Sequence, residues 1–216
     1  MSPRYYPAFI DLKGKPCVVV GGGKVAERKV LSLLRSGAAV RIVSPEITGA
    51  LQKQKDKGRI EHIKREYRKG DLKGAFLAIA ATPDYRVNTK VSRDAPCLVN
   101  VVDKPELANF IVPSFISRGR LAIAVSTSGA SPAVAKAIKK ELESMYGGSF
   151  GPFLDFLKKL RKKASLEITD EQIRGAFLKS VASEEVLAVL RSRGPEEAEK
   201  SVVESFEAAR RRSSGS

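Results

Sequence analysis

The sequence predicts an α/β fold built on a doubly wound parallel sheet, and three observations carry that expectation. Residues 16–20 form a short apolar, β-branched run that ends in Gly21-Gly22-Gly23. From there to about residue 102, apolar strand-like runs alternate with stretches of helical period. After residue 108 the alternation stops: two apolar runs flank a short glycine-containing turn, and beyond Gly147-Gly148 the pattern is helical throughout. A continuous apolar strand is the mark of burial on both faces, which a parallel sheet achieves by carrying helices on each side.

The elements follow in order. Val25, Ala26, Lys29, Val30, Leu33 and Leu34 make a helical stripe that Gly37 stops at a C′ position. Val40-Arg41-Ile42-Val43 is the second strand and closes a βαβ unit, the opening unit of a Rossmann sheet. A helix over 47–57 and a strand over 59–64 come next, then a strand over 76–81, a helix over 84–93 and a strand over 98–102. The runs 110–116 and 121–125, joined through Ser117-Arg118-Gly119-Arg120, read as an antiparallel hairpin. Ser131-Pro132 supplies an N-cap and an N1 proline for a helix to about Met145. Helices are expected over 151–163, 170–180, 184–193 and 195–212. The domain reading is 1–109, 110–146 and 147–216: a Rossmann sheet, a small α+β segment and a C-terminal helical domain.

Gly21-Gly22-Gly23-Lys24-Val25-Ala26 carries the G-x-G-x-x-A pattern between strand and helix. The first glycine permits the tight turn, the next lets backbone approach a pyrophosphate, and Ala26 keeps helix and sheet close. Amides at the helix start, those of Lys24 and Val25 included, then face the phosphates. The acidic residue that usually holds the adenosine ribose near the end of strand two is displaced. Ser44-Pro45-Glu46 stands there, so Ser44 or Glu46 is the candidate, and Arg41 is the nearest cation that would favour a 2′-phosphate. NAD is the favoured cofactor over NADP.

Ligands in such folds gather beyond the C-terminal strand ends. The groups there are Thr82, Asp103, and Ser126, Thr127 and Ser128. Asp103 follows Asn100-Val101-Val102 directly and is placed to take a proton while the cofactor takes a hydride. An aspartate in an Asp-Lys-Pro turn is the structural alternative. Cys17 and Cys97 read as reduced core residues, and the single histidine, His62, as a surface residue of a half-exposed strand. One histidine and two scattered cysteines make no permanent metal site. No apolar run is long enough to span a bilayer, and the N-terminus lacks a secretory h-region, so the expected location is the cytoplasm.

The chain resembles the precorrin-2 dehydrogenase family, which includes the NAD-dependent part of siroheme synthases. The resemblance rests on Val20-Gly21-Gly22-Gly23-Lys24-Val25-Ala26-Glu27-Arg28-Lys29, Ala78-Ile79-Ala80-Ala81-Thr82 and Asn100-Val101-Val102-Asp103. It continues through Phe110-Ile111-Val112-Pro113-Ser114 and Ala124-Val125-Ser126-Thr127-Ser128-Gly129-Ala130-Ser131-Pro132. It implies oxidation of precorrin-2 to sirohydrochlorin with NAD, and in some members Fe2+ insertion, in which Asp103 would be at most a transient metal contact. It implies a catalytic Asp103, cofactor contacts at Gly23, Lys24, Val25, Pro45 and Glu46, and a homodimer formed through residues 110–146. It aligns Thr127 with a hydroxyl that is phosphorylated in some bifunctional relatives. The length leaves no room for the methyltransferase domain of trifunctional enzymes.

The net charge of +15 suits three kinds of anionic partner, a nucleic acid, an acidic membrane or a small polyanion. With the resemblance in hand, the polycarboxylate tetrapyrrole is the expected one, with no nucleic acid and no membrane. Asn100, Ser114, Arg118, Arg120, Thr127 and Ser128 are the expected substrate contacts, and the run Lys158-Lys159-Leu160-Arg161-Lys162-Lys163 is a further basic candidate or a solvated helix face. An NAD(H)-sensing regulator that binds nucleic acid is the competing class. The basic residues are spread along the chain, and no helix-turn-helix precedes the glycine loop.

Overall fold

The computed structural model describes residues 5–102 and 104–214, which fall into two compact units that meet in sequence between Val112 and Pro113. The first unit holds one sheet of five strands: β1 (Pro16–Val20), β2 (Ala39–Val43), β3 (Ile60–Ile63), β4 (Leu77–Ala80) and β5 (Leu98–Val101). Their spatial order is β3-β2-β1-β4-β5 and every pairing is parallel. The chain winds outward from β1 through β3, then crosses back to β4 on the other side of β1. The order therefore reverses between β1 and β4, and the crevice at their C-terminal ends is the topological switch point.

The strands alternate between two cores. Cys17 and Val19 of β1 pack with Ile42, Ile79 and the helix residues Ala26, Val30 and Leu33, while Val18 and Val20 pack with Val43, Ala78, Ala80, Val99 and Val101. Helix α1 (Lys24–Arg35) buries Ala26, Val30 and Leu33, a single stripe at helical spacing, and Gly37 beyond its end takes φ +76°. Burial pushes the Cys17 thiol up to about 11, as expected of a core cysteine kept from reaction. α2 (Gly49–Asp56) starts two residues later than the pattern suggests, because the Thr48 side chain caps it by accepting from the Leu51 amide. α3 (Tyr85–Asp94) is capped likewise by Asp84.

His62 is half-buried, not a surface residue: its Nε2 lies 2.9 Å from the Ser44 carbonyl oxygen. The strand expected over 110–116 is shorter than its apolar run. Pro113 has no N–H to give a ladder, and the strand begins at Ser114. Residues 109–110 are instead tied back to β5: Asn109 N–H donates to the Val99 carbonyl, Asn109 Oδ1 accepts from Val99 N–H, and Asn100 Nδ2 donates to the Phe110 carbonyl.

The second unit contains the antiparallel hairpin β6 (Ser114–Arg118) and β7 (Leu121–Val125), then α4 (Pro132–Met145), α5 (Phe150–Glu167), α6 (Glu171–Ser180), α7 (Glu184–Arg193) and α8 (Pro195–Ser214). The hairpin turn is the two residues Gly119-Arg120, with Gly119 at φ +59°, tighter than the four-residue link the sequence outlines. That glycine also meets a neighbour. A Cβ on Gly119 would stand 3.0 Å from the Cα of Gly151 in α5. Phe153, Ala164, Ile168, Leu190, Val202 and Phe206 form the helical core, and Phe177 meets Phe206 edge to face at 5.7 Å. No helix among the described residues is long and apolar enough to cross a membrane.

Candidate dinucleotide site

A cavity of about 610 Å³ opens at the C-terminal ends of β1, β2, β3 and β4. Its walls bring together Gly21, Gly22 and Gly23 after β1, Ser44, Pro45 and Glu46 after β2, and Thr82 after β4. These are seven of the nine cofactor positions read from the sequence; Lys24 and Val25 sit just beyond, at the start of α1.

The three glycines do different work. Gly21 has φ +118° and a Cβ there would collide with the Ala81 carbonyl, so the close turn from β1 requires glycine twice over. A Cβ on Gly22 would collide with the Glu46 carbonyl, which holds the β2 loop against the β1 loop. Gly23 faces open space, so nothing in the protein occupies the position where its missing side chain would be. Gly23 is also the N-cap of α1 and makes no side-chain capping bond. The first-turn amides of α1, Lys24 and Val25 among them, thus lack acceptors within the helix and suit a pyrophosphate. The Lys24 ammonium lies exposed, 3.4 Å from Glu27. An open glycine, uncapped amides and a cavity of this size fit a dinucleotide.

The loop after β2 is fixed by its own polar groups. Ser44 is buried, and its hydroxyl donates to the Glu46 carbonyl at 2.5 Å, while its carbonyl faces His62. Thr48 N–H donates to the Gly22 carbonyl, and the Thr48 hydroxyl donates to Glu27. That bond, with Lys24 behind it, holds the Glu27 carboxyl below the usual carboxylate range. Of the two ribose candidates, Ser44 has its proton committed to the turn, whereas the Glu46 side chain is exposed at the rim. Arg41 lies within β2 and is ion-paired with Glu61 at 2.7 Å.

Thr82 is also built into its loop. Its hydroxyl lies 2.9 Å from Asn88 Oδ1 and 3.0 Å from the Asp84 carbonyl, and buried Asn88 returns a bond from Nδ2 to the Thr82 carbonyl. The wall that sequence reasoning missed is Glu66 and Tyr67. They lie in an irregular loop after β3, where no periodicity marks them. A fork from Arg65 to Asp71, at 2.6 and 2.8 Å, pins that loop. Arg65, aided by the Arg68 amide, holds the Asp71 carboxyl below the usual carboxylate range against the opposing effect of burial. Tyr67 donates to Asp94 at 3.0 Å, and burial followed by that bond raises its phenol.

The remaining predicted residues are placed as follows. Asp103 lies outside the described residues. Asn100 is buried on β5 with its Nδ2 on the Phe110 carbonyl. In the second unit Ser114 opens β6, and the Arg118 guanidinium donates to the Ser117 carbonyl. Arg120 pairs with Asp155 at 2.5 Å. Thr127 donates to the Ser131 carbonyl and accepts from the Ser131 amide, both at 3.1 Å, which closes the turn before α4. Ser128 is exposed at φ +52°.

Fold order, glycine turn and uncapped helix together define a dinucleotide-binding Rossmann protein. Comparison with known proteins narrows the class. An NAD(P)-binding family model matches residues 8–114, and a model described as sirohaem biosynthesis protein central matches residues 118–145. The siroheme synthase of Methylobacillus flagellatus is 40% identical over 178 residues, 81% of this chain and 38% of the relative. That of Photobacterium profundum is 38% identical over 180 residues, 82% of this chain and 38% of the relative. The chain thus spans about two fifths of the length of these curated relatives. A solved structure, SirC, precorrin-2 dehydrogenase, matches with TM-score 0.78 at 30% identity, covering 93% of this chain and all of that one. The chain belongs to the precorrin-2 dehydrogenase family, to which part of the siroheme synthases is also similar.

Proposed function

We propose that this protein oxidises precorrin-2 to sirohydrochlorin with NAD+ as hydride acceptor. The observation that carries the reading is the glycine-walled cavity at the switch point, in a chain that matches a precorrin-2 dehydrogenase over that protein's whole length. The substrate gives up one hydride and one proton. NAD+, when bound, supplies the acceptor for the hydride.

The chain's own residues do the rest. The amides at the start of α1 receive the pyrophosphate, with Gly23 leaving the approach clear. Glu46 offers an exposed carboxylate to the ribose diol, where its charge would oppose a 2′-phosphate, and Arg41 is turned to Glu61 through its Nε. NAD is therefore the assigned cofactor. Asp103, which follows β5 by sequence, is assigned the proton. The assignment of Asn100, Ser114, Arg118, Arg120, Thr127 and Ser128 to the substrate rests on the sequence resemblance.

The test is an anaerobic assay of NAD+ reduction with precorrin-2. Asp103→Ala should lose at least about 100-fold in kcat while binding NADH normally; wild-type kcat in that variant would remove Asp103 from the mechanism. Adding Fe2+ to the accumulated sirohydrochlorin then asks whether the same protein also performs chelation.

Residues 110–146 are the proposed dimer interface. Strand alternation buries Ile116 but leaves Phe115, Ser117, Ala122 and Ala124 exposed on the hairpin, and Val134, Ile138 and Met145 are exposed on α4. Light scattering should report a dimer at micromolar concentration and a monomer for Phe115→Asp. A wild-type monomer would count against this interface.

A further inference from the structure

The second unit contains a cavity of about 530 Å³ that the dinucleotide site does not use. Every residue around it belongs to that unit. Its apolar wall comes from Leu154 and Leu157 of α5 with Leu178 of α6 and the following Val181, and its cations are Arg120, Lys158, Arg161 and Lys179. Among the described residues no carboxylate lines it.

The sequence spacing explains the arrangement. Positions 154, 157, 158 and 161 recur at helical intervals, so they share one face of α5, two leucines beside two cations. Lys179 stands in the last turn of α6. Arg120 arrives from the hairpin turn, held over α5 by its bond to Asp155 and by the close passage of Gly119 across Gly151. That bond occupies Nε of the guanidinium. Among the described residues no ion pair is made by Lys158, Arg161 or Lys179, so three of the four cations are uncompensated.

We infer that this cavity binds a flat, apolar molecule that carries several carboxylates, and on the reading above that molecule is a tetrapyrrole polycarboxylate held by one edge. The chemistry selects this class on two counts. An inorganic anion would leave the leucine wall unused, and an uncharged apolar ligand would strand the cations. Ligand cavities commonly span about 300–1,000 Å³, so this one takes part of a macrocycle and leaves the remainder outside. Guanidinium and ammonium groups on one rim then meet the peripheral carboxylates with charge-assisted bonds. The basic run of α5 thus falls into two sets, all four side chains exposed: Lys158 and Arg161 line the cavity, and Lys159 and Lys162 lie outside its wall.

That division provides the test. Uroporphyrin, a tetrapyrrole polycarboxylate, is titrated at about 0.15 M salt against the full chain, where long-range steering is damped. Lys158→Glu with Arg161→Glu should weaken binding by at least about 10-fold, and Lys159→Glu with Lys162→Glu by less than about 3-fold. Both pairs change the net charge by the same amount. Equal losses in the two pairs would mean diffuse attraction and overturn the inference, as would no loss in either, or binding of a short DNA duplex in place of uroporphyrin. Unchanged NADH titration and melting temperature confirm that each variant is folded. Failure of the dehydrogenase reading shows up separately, as absence of NAD+ reduction by the wild type whatever the two pairs do.

Discussion

Two glycine pairs, one in each unit, show how the same residue serves opposite ends. At the end of β1, Gly22 gives way to the Glu46 carbonyl while Gly23 leaves its space empty. At the hairpin turn, Gly119 and Gly151 let two segments of the second unit approach until backbone meets backbone. The first arrangement holds a loop in place and keeps a gap beside it for a ligand. The second closes the gap. A glycine motif therefore signals binding only where the space it creates stays unfilled.

Substitutions break the comparison apart, beginning with the largest expected effect. Gly22→Val should both destabilise the first unit and abolish measurable NADH binding, since no relaxation of a flexible side chain can relieve a clash with backbone. Thermal melting and an NADH fluorescence titration read the two effects together. Gly23→Val should separate them: melting within a degree or two of wild type, and NADH affinity lower by about 100-fold as the side chain fills the phosphate approach. A Gly23→Val protein that binds NADH normally would end the assignment of this loop.

In the second unit, Phe153→Ala removes a fully buried ring and should cost about 3–5 kcal/mol, seen as a lower urea midpoint. Gly119→Ala should cost about 1–2 kcal/mol through its positive φ and the tight Gly151 contact, with NADH binding unchanged. Loss of NADH affinity in Gly119→Ala would show that the two glycine pairs are not independent.

The smallest effect concerns the missed wall. The Asp71 carboxyl has a lowered folded-state pKa, so its bond to Arg65 stabilises fully above the ordinary carboxylate range and is lost as pH falls below about 4. Urea midpoints should thus decline with acidification, and Asp71→Asn should decline less steeply over the same range. Because the Arg65–Asp71 fork positions Glu66 and Tyr67, the same variant should weaken NADH binding by a few-fold at neutral pH. A pH profile identical to wild type would remove the fork from the acid transition.

The first unit was the more legible of the two. The central strands β1 and β4 are buried on both faces and α1 carries one buried stripe, so there the local pattern is also the tertiary pattern. The helices over 47–57 and 84–93 could be seen, yet the caps Thr48 and Asp84 and their place on the cavity wall could not, because that place depends on where neighbouring strands bring their loops. The hairpin was legible as a hairpin, but its apolar run overstated the strand. Residues 109–110 are bound to β5 and Pro113 cannot join a ladder, facts that need the partner strand to be known. His62 was misplaced for a similar reason: its strand alternates as a half-exposed one would, but the Ser44 carbonyl covers its end.

By itself, the sequence determined the parallel α/β core, the glycine turn with its dinucleotide, the antiparallel excursion and the helical C-terminal part, because each follows from period and backbone freedom over a few neighbouring residues. Only the tertiary structure decided that Ser44 holds its own loop and leaves Glu46 free at the rim. It also brought Arg65 and Asp71 together to build a wall, and set Lys158 and Arg161 of α5 at the edge of a cavity with Lys159 and Lys162 off it. Those outcomes depend on which segments meet in space, and charge or hydrogen-bonding capacity along a chain is the same whether its partner is a neighbour, a ligand or water.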